Sequence, residues 1–488
     1  MTEAVIGLDV GTSVAKAVLF DLAGTELAVA ARAYPLHTPQ PGWAELDPEQ
    51  IWDAVAGALR DLTAAPAPGT RIRALALACQ GGTLLPSGAD GTPTYPAITW
   101  LDGRSQDLAA QWRAEGVAER VRRTSGWPPE PGLPLLSIAW LRQARPDAFA
   151  ATERFLSVND YVAQRLTGRA TTNPSMAGEM LLANVATGRW SVALCDLAGI
   201  HPGQLSPIVP SEAPIGTVQP AAGCATGLGA DVVVINGGQD HACEALALGL
   251  TSAGTGLLAC GTAWVVNAIT TSPAVDGIPP GMALNSHVVP DHWVASQFLG
   301  GLGACLEWWL GQCGPRSAGP DWAAFDAALA GTAPGSGGLL YLPQAGALDA
   351  PGAGGFYGLR LDHTWADLGR AIMEAAACEL RWALADLRQA GLAIEEVWMV
   401  GGAAHSPLWP HIVADAGGLP VLLSPYSHGP ALGAAILATA GLGIYPSVEA
   451  ARARFRAPAR RLAPDGTHAP AYDRQYAAYR RLALGGTL

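Results

Sequence analysis

Asp9 closes an apolar run, "VIGLD", and the chain then passes through Gly11-Thr12 into a second run, "VAKAVLFD". Burying an ionised carboxylate there is costly unless a cation or hydrogen-bond donors meet it. A Gly-Thr turn between strands presents backbone N–H groups and a hydroxyl at one point. Such a nest holds phosphate oxygens without positive side chains. A carboxylate beside it is where Mg²⁺ would be held, mostly through water; the plainer use of Asp9 is an Asx-turn. Lys16, four residues past Thr12, adds a point charge if the hairpin returns it to the turn, and is otherwise a solvated strand residue.

A second carboxylate, Asp240, follows Gly237-Gly238-Gln239 where an apolar strand gives way to a helix. Its plain use is as an N-cap. Its sharper use is as a general base that takes the proton of an attacking hydroxyl in phosphoryl transfer. "DHACE" invites a metal reading, but Asp240, His241, Cys243 and Glu244 span too much of a helix's circumference to converge on zinc. No G-x-x-x-x-G-K-[ST] occurs, so the chain is not a P-loop protein. No G-x-G-x-x-G opens a helix after the first strand, which counts against a dinucleotide fold.

These residues need strands to carry them. "VIGLDV", "VAKAVLF" and the run after "DLAGTELAVAARAY" predict a three-strand meander. A helix is expected from Asp47-Pro48, with Ile51, Val55, Leu59 and Leu62 on one face, and "RIRALALAC" then returns as a buried strand. Alternating strands and helices argue for an α/β fold with both sheet faces covered. An internal echo sharpens this. "IGLDVGTSVAKAVLF" is echoed by "LLACGTAWVVNAI", and the strand–Gly-Gly–helix of "VVVINGGQDHACEALAL" by "VWMVGGAAHSPLWPHIVADA". Repeated order of this kind predicts two related domains facing a cleft.

Half of the 488 residues are hydrophobic and 14% are charged, which suits a soluble globular enzyme of about two to four domains. The net charge of −12 disfavours a nucleic-acid partner, which needs a basic face. Eight scattered cysteines without a C-x-x-C pair predict reduced, mostly buried thiols in a cytoplasmic protein. The N-terminus lacks the basic region of a signal peptide. Residues 245–275 carry no charge, but their glycines, threonines and serines predict two or three buried strands rather than a membrane helix. "AYDRQYAAYRRLA" reads as an amphipathic helix that packs back on the fold.

Several segments, in order from Val5 to about Gly443, resemble the FGGY carbohydrate kinases, their xylulokinase branch most. "GLDVGTSVAKAVLFD" is similar to that family's first phosphate segment and "PTYPAITWLDGRS" to its sugar-side W-x-D-x-R segment. "INGGQDHACEALALG" resembles the segment of its catalytic Asp, "CGTAW" its second phosphate turn, and "VGGAAHSPLWPHIVADAGGLPV" its adenosine segment. Gly354 to Glu374 fits one family signature position by position.

The resemblance implies two actin-like, ribonuclease H-type ATPase domains, 1–246 and 247–488, with ATP-Mg²⁺ and a sugar in the cleft between them. Asp9 would sit at the metal. Gly11, Thr12 and Lys16 would meet the phosphates, with Gly261 and Thr262 opposite, and Gly401, Gly402 and Ser406 would line the nucleotide. Asp240 would be the base, and Gln80, Trp100, Asp102 and His241 would lie towards the acceptor. The reaction implied is phosphorylation of a sugar hydroxyl, of a ketopentose such as D-xylulose. The alternatives are another polyol or sugar acid (erythritol, glycerol, gluconate), a sugar-binding regulator without catalysis, or a partner-switching ATPase. The resemblance also suggests a homodimer, with neither membrane nor nucleic acid as partner. Two departures stand out. Gly81-Gly82 replace the side chains that grip the acceptor in relatives, so the pocket is wider or relies on other donors. Ser137 stands where the other signature carries Lys, and Arg104 reads as a surface ion pair.

Overall fold

The computed structural model describes residues 2–64, 69–313, 322–329, 331–343, 354–455 and 459–485. β1 (Thr2–Val10) is buried from Ala4 onward, and its parity sorts the residues. Ala4, Ile6, Leu8 and Val10 join one core layer, while Val5 joins the other. Gly7 and Asp9 share Val5's face. β2 (Val14–Asp21) and β3 (Glu26–Ala33) complete the expected antiparallel meander. α1 (Pro48–Ala64) starts where expected, after Asp47, whose carboxylate accepts from the Glu49 N–H at 2.9 Å. Its Ile51, Val55, Leu59 and Leu62 pack on the Ile6–Leu8 face.

β4 (Thr70–Cys79) lies parallel to β1, and its Ala-Leu alternation has a packing reason. Leu75, Leu77 and Cys79 join the α1 layer, whereas Ala74, Ala76 and Ala78 leave room on the other face. A largely helical region follows, with its own core around Trp112, Leu135, Ile138 and Phe155. It includes the short α2 (Pro174–Glu179). β5 (Pro214–Thr217), β6 (Val233–Gln239) and α3 (Asp240–Leu248) finish this half. The first sheet runs β5-β6-β4-β1-β2-β3.

The second half repeats the plan. β7 (Gly254–Cys260), β8 (Trp264–Thr270), β9 (Ala283–Ser286) and β10 (Trp293–Gly300) lead into α4 (Leu302–Cys313) and α5 (Trp365–Gln389). β11 (Ile394–Val400), α6 (Trp409–Gly417), β12 (Val421–Leu423), α7 (Gly429–Gly441), β13 (Arg460–Leu462) and α8 (Ala469–Ala483) follow. The sheet order is β9-β10-β8-β7-β11-β12-β13.

Superposing the two orders puts the Gly11-Thr12 and Gly261-Thr262 hairpins at equivalent places, as the echo predicts. The Gly-Gly echo is shifted by one strand. β11 lies beside β7 just as β4 lies beside β1, so Gly401-Gly402 corresponds to the end of β4, at Gln80-Gly81-Gly82. The strand before Asp240, β6, corresponds instead to β12.

α7 fills the alanine face of the first sheet, and α3 stacks on α7. The approach is close: a Cβ on Gly433 would lie 1.9 Å from the Cys243 carbonyl oxygen. Ala245 and Leu248, on another face of α3, pack on Leu257 and Ala259 of β7. The layers thus run α1, first sheet, α7, α3, second sheet, α5. The uncharged stretch 245–275 is the end of α3 with β7 and β8, and among the described residues no helix is long and apolar enough to cross a membrane. Six cysteines are buried; Cys224 and Cys313 are exposed, and all eight are free thiols.

The segment from Gly354 to Glu374 anchors the second half. α5 opens with a Thr364–Asp367 capping box and buries Glu374 completely. Glu374 pairs with Arg370 at 2.8 Å and accepts from Gly335 N (2.9 Å), Ser336 Oγ (2.7 Å) and Gln475 Nε2 (2.6 Å). Gln475 belongs to α8, which packs back through Tyr472 and Tyr479, as its amphipathic pattern predicts.

Candidate active site

The β1–β2 register sets Lys16 directly opposite Asp9, with Nζ 3.7 Å from Oδ2. Lys16 is therefore paired with a carboxylate and keeps a 40% exposed side chain. Burial, and then the nearby charge of Asp240, push the Asp9 carboxyl up to about 6 against the opposing pull of Lys16 and His428. Asp9 is not used up by its own turn, because the Gly11 N–H bonds the Val14 carbonyl.

Asp240 is the first residue of α3, not its cap. Gln239 is the cap, and its side-chain oxygen accepts from Ala242 N at 2.9 Å. Gln239 Nε2 (2.6 Å) and His241 N (2.8 Å) both donate to Asp240 Oδ1. Among the described residues no hydrogen bond reaches Oδ2. Asp9 and Asp240 are thus two close, incompletely neutralised carboxylates, a donor set that suits a hard cation. Among the described residues no three His, Cys, Asp or Glu converge to cage an ion.

The first turn is tied to the residues expected towards the acceptor. Thr12 Oγ1 donates to Gln80 Oε1 (3.0 Å), Trp100 Nε1 donates to Thr12 Oγ1 (3.2 Å), and Gln80 Nε2 donates to the Gly11 carbonyl (3.3 Å). The Tyr34 hydroxyl also donates to that carbonyl. Trp100 remains 41% exposed. Asp102 is different, because both its oxygens are taken. Oδ2 accepts from Ala44 N (2.6 Å) and Arg104 (2.8 Å), and Oδ1 from Arg104 Nε (2.7 Å). These bonds tie the Trp100 loop to Ala44.

Arg104 is no surface pair: its side chain is 1% exposed, lies over the Trp43 ring at 3.8 Å and also binds Glu45. Ser137 is likewise internal, where a Lys would be buried. Its hydroxyl donates to the Gly132 carbonyl at 3.2 Å, and a Cβ on Gly132 would lie 2.6 Å from the Trp100 carbonyl oxygen.

Gly81 and Gly82 do not leave an open pocket. Gly82 has φ +67°, and a Cβ there would meet Trp100 Cβ at 2.9 Å. A Cβ on Gly81 would fall 1.3 Å from Glu179 Oε2, so a carboxyl from the end of α2 occupies the space that a side chain at 81 would need. Enclosure and the charge of Asp240 push this carboxyl up to about 8. Between the usual carboxylate value and about 8, the folded chain holds a proton that the unfolded chain has lost. Stability therefore falls as pH rises through that window. Glu179→Gln should raise the Tm relative to the parent by a few degrees at pH 8, and the gain should vanish towards pH 4.5. Thermal unfolding at both pH values checks this; an equal difference at both would contradict it.

In the second half, the Gly261-Thr262 turn is backed by α4. Ala304 N donates to the Thr262 carbonyl at 3.1 Å, and a Cβ on Gly303 would lie 2.0 Å from the Gly261 carbonyl oxygen. Gly402 and Ser406 join this turn around a cavity of about 440 Å³ walled by Trp264, Trp322, Phe325, Met373 and Trp409. Aromatic walls beside a backbone nest suit a ring joined to a phosphate chain. Gly401 stands behind the wall, packed on the Cys260 carbonyl. Trp264 and Trp409 lie inside quoted segments, so their place was findable. Trp322 and Phe325, like Glu179, had no local signal.

Family models match both halves of the chain. The N-terminal domain model of the FGGY family of carbohydrate kinases matches residues 4–247, and the C-terminal domain model residues 256–442. An L-xylulose/3-keto-L-gulonate kinase of Escherichia coli K12 is 29% identical over 99% of this chain and 97% of its own length. A glycerol kinase of Methylibium petroleiphilum is 31% identical over 93% of each chain. The crystal structure of xylulose kinase from Rhodospirillum rubrum matches with a TM-score of 0.90 at 30% identity, over 99% of this chain and 98% of that one. A gluconate kinase structure from Lactobacillus acidophilus gives 0.91 at 25% identity, over 99% and 98%. The two sheets and their layers are therefore actin-like ATPase domains, as the sequence implied. With family models covering both halves, this chain belongs to the FGGY family of carbohydrate kinases, enzymes that use ATP as phosphate donor.

Proposed function

We propose that the chain transfers the γ-phosphoryl group of ATP to a terminal hydroxyl of a ketopentose such as D-xylulose. The observation that carries this reading is Asp240. Its Oδ1 is held by two donors, its Oδ2 is free among the described residues, and Asp9 lies close by. Asp240 takes the acceptor's hydroxyl proton as that oxygen bonds the γ-phosphorus and the bond to ADP breaks. Gly11, Thr12 and Lys16 meet the phosphates from one side, and Gly261 and Thr262 from the other. Gly402 and Ser406 line the nucleotide, with Gly401 shaping the wall behind them. Mg²⁺, when bound beside Asp9, neutralises charge on the phosphate oxygens. Gln80, Trp100 and His241 face the acceptor, and Asp102 holds the Trp100 loop. Taking the halves as 1–246 and 247–488 puts base and acceptor on the first and nucleotide on the second. Closing one half on the other would exclude water.

A second reading, a kinase of another polyol or of a sugar acid, is favoured by the Gly81-Gly82 pair and by the glycerol and gluconate kinases among the similar proteins. The test is ADP release with Mg-ATP against ketopentoses, polyols and sugar acids. D-xylulose should raise turnover well above the basal rate and above every other acceptor. A stronger response to another compound would move the substrate, and no response to any would restore the non-catalytic readings.

A further inference from the structure

Resting on that kinase reading, we infer that Glu179 determines acceptor specificity. Its carboxyl, seated where Gly81 has no side chain, hydrogen-bonds an uncharged polyol or ketose, while the neighbouring Asp240 and Asp9 disfavour the carboxylate of a sugar acid. The helix that ends in Glu179 is held firmly. Asn173 caps it, Oδ1 accepting from Met176 N at 3.0 Å. Ser175 Oγ donates to Asn173 Oδ1 (2.7 Å) and accepts from Gln239 N (3.0 Å), the residue just before the base. Asn285 of the second half donates to the Ser175 carbonyl at 3.0 Å.

The helix end is thus fixed between the Asp240 strand and the Gln80–Thr12–Trp100 wall. Glu179 Oε2 lies 1.3 Å from the position of a Cβ on Gly81, immediately next to Gln80. Among the described residues no hydrogen bond or ion pair reaches this carboxyl, and the residue keeps some exposed surface. A carboxyl with no protein partner keeps its hydrogen-bonding capacity for the hydroxyls of a bound acceptor.

Charge decides which acceptor fits. Asp240 is close enough to Glu179 to act on it electrostatically, and Asp9 is close to Asp240 in the same way. The nearby cation Lys16 is already paired with Asp9. The carboxylate of a sugar acid would enter beside the Asp240 and Asp9 carboxylates, where like charges repel. Neutral hydroxyls meet no such barrier. In its protonated form the Glu179 carboxyl can also donate one hydrogen bond and accept others.

The experiment is isothermal titration of the full chain, without nucleotide, with D-xylulose, glycerol, erythritol and gluconate. The parent, Glu179→Ala, Glu179→Gln and Gly81→Ala are compared, with ADP release measured on the same samples. At least one neutral compound should bind, and gluconate should bind at least about tenfold more weakly. Glu179→Ala should weaken the neutral compound by about 10- to 100-fold, the loss of a hydrogen bond to an acid. Glu179→Gln should lose less. Gly81→Ala, whose methyl displaces the carboxyl, should resemble Glu179→Ala and guards against a folding defect in it. Unchanged affinity in both alanine variants, no binding of any neutral compound, or gluconate binding as tightly would overturn the inference. Glu179-dependent binding without ADP release would defeat the kinase reading alone. ADP release with a Glu179-independent KM would defeat this inference alone.

Discussion

Asp240→Asn should lower turnover by about 10²- to 10⁴-fold, the usual contribution of a positioned base. ATP affinity should barely change. The asymmetry follows from placement. Asp240 heads α3 on the first half, whereas the aromatic cavity and the Gly261-Thr262 turn belong to the second. The asparagine oxygen can still accept from His241 N and Gln239 Nε2, so the helix start should survive. What is lost is the basic oxygen. Steady-state kinetics with a nucleotide-binding titration separate the two effects. Turnover near the parent's would remove Asp240 as the base, and an equal loss of ATP binding would mean that it acts on the nucleotide instead.

Glu374→Ala should destabilise the fold by about 3–5 kcal/mol, the cost of stripping one partner from a buried ion pair. Four donors converge on that carboxylate: Arg370 Nε, Gly335 N, Ser336 Oγ and Gln475 Nε2. Arg370 is itself buried and, among the described residues, would keep only Thr332 and the Tyr472 hydroxyl. Thermal unfolding should show a Tm lower by several degrees, with ATP binding intact in the cold. An unchanged Tm would mean that α5 and α8 are held together by apolar packing alone. This gives the family signature at Gly354 to Glu374 a structural meaning: it builds an anchor, and its Met373 also walls the cavity beside the Gly261-Thr262 turn.

The parts of the fold legible in sequence were those set by local pattern. β1 and β4 as strands and the spacing in α1 read correctly because an apolar run and a helical period are both local signals. The Gly-Thr turns were legible because strand, turn and strand follow one another within a few residues. The Gly-Gly echo was matched to the wrong strand because strand neighbours are set by pairing across the whole sheet, and β6 and β11 hold different places in it. Long-range contacts explain the other misses. Arg104 looked like a surface residue because nothing nearby in sequence shows Trp43 stacked on it. Nothing near Asp102 in sequence shows that the Ala44 N–H bonds its carboxylate. At Gly81 the sequence left a wider pocket or other donors open, and it could not name Glu179, which lies far along the chain.

The central claim is that phosphate passes from ATP to an uncharged acceptor and not to water. It is tested most directly by following the label from γ-³²P-ATP in the presence of D-xylulose and Mg²⁺. The account predicts label in a sugar phosphate, with little free phosphate while acceptor remains. Label appearing only as inorganic phosphate, at a rate that neither D-xylulose nor any neutral polyol changes, would contradict it.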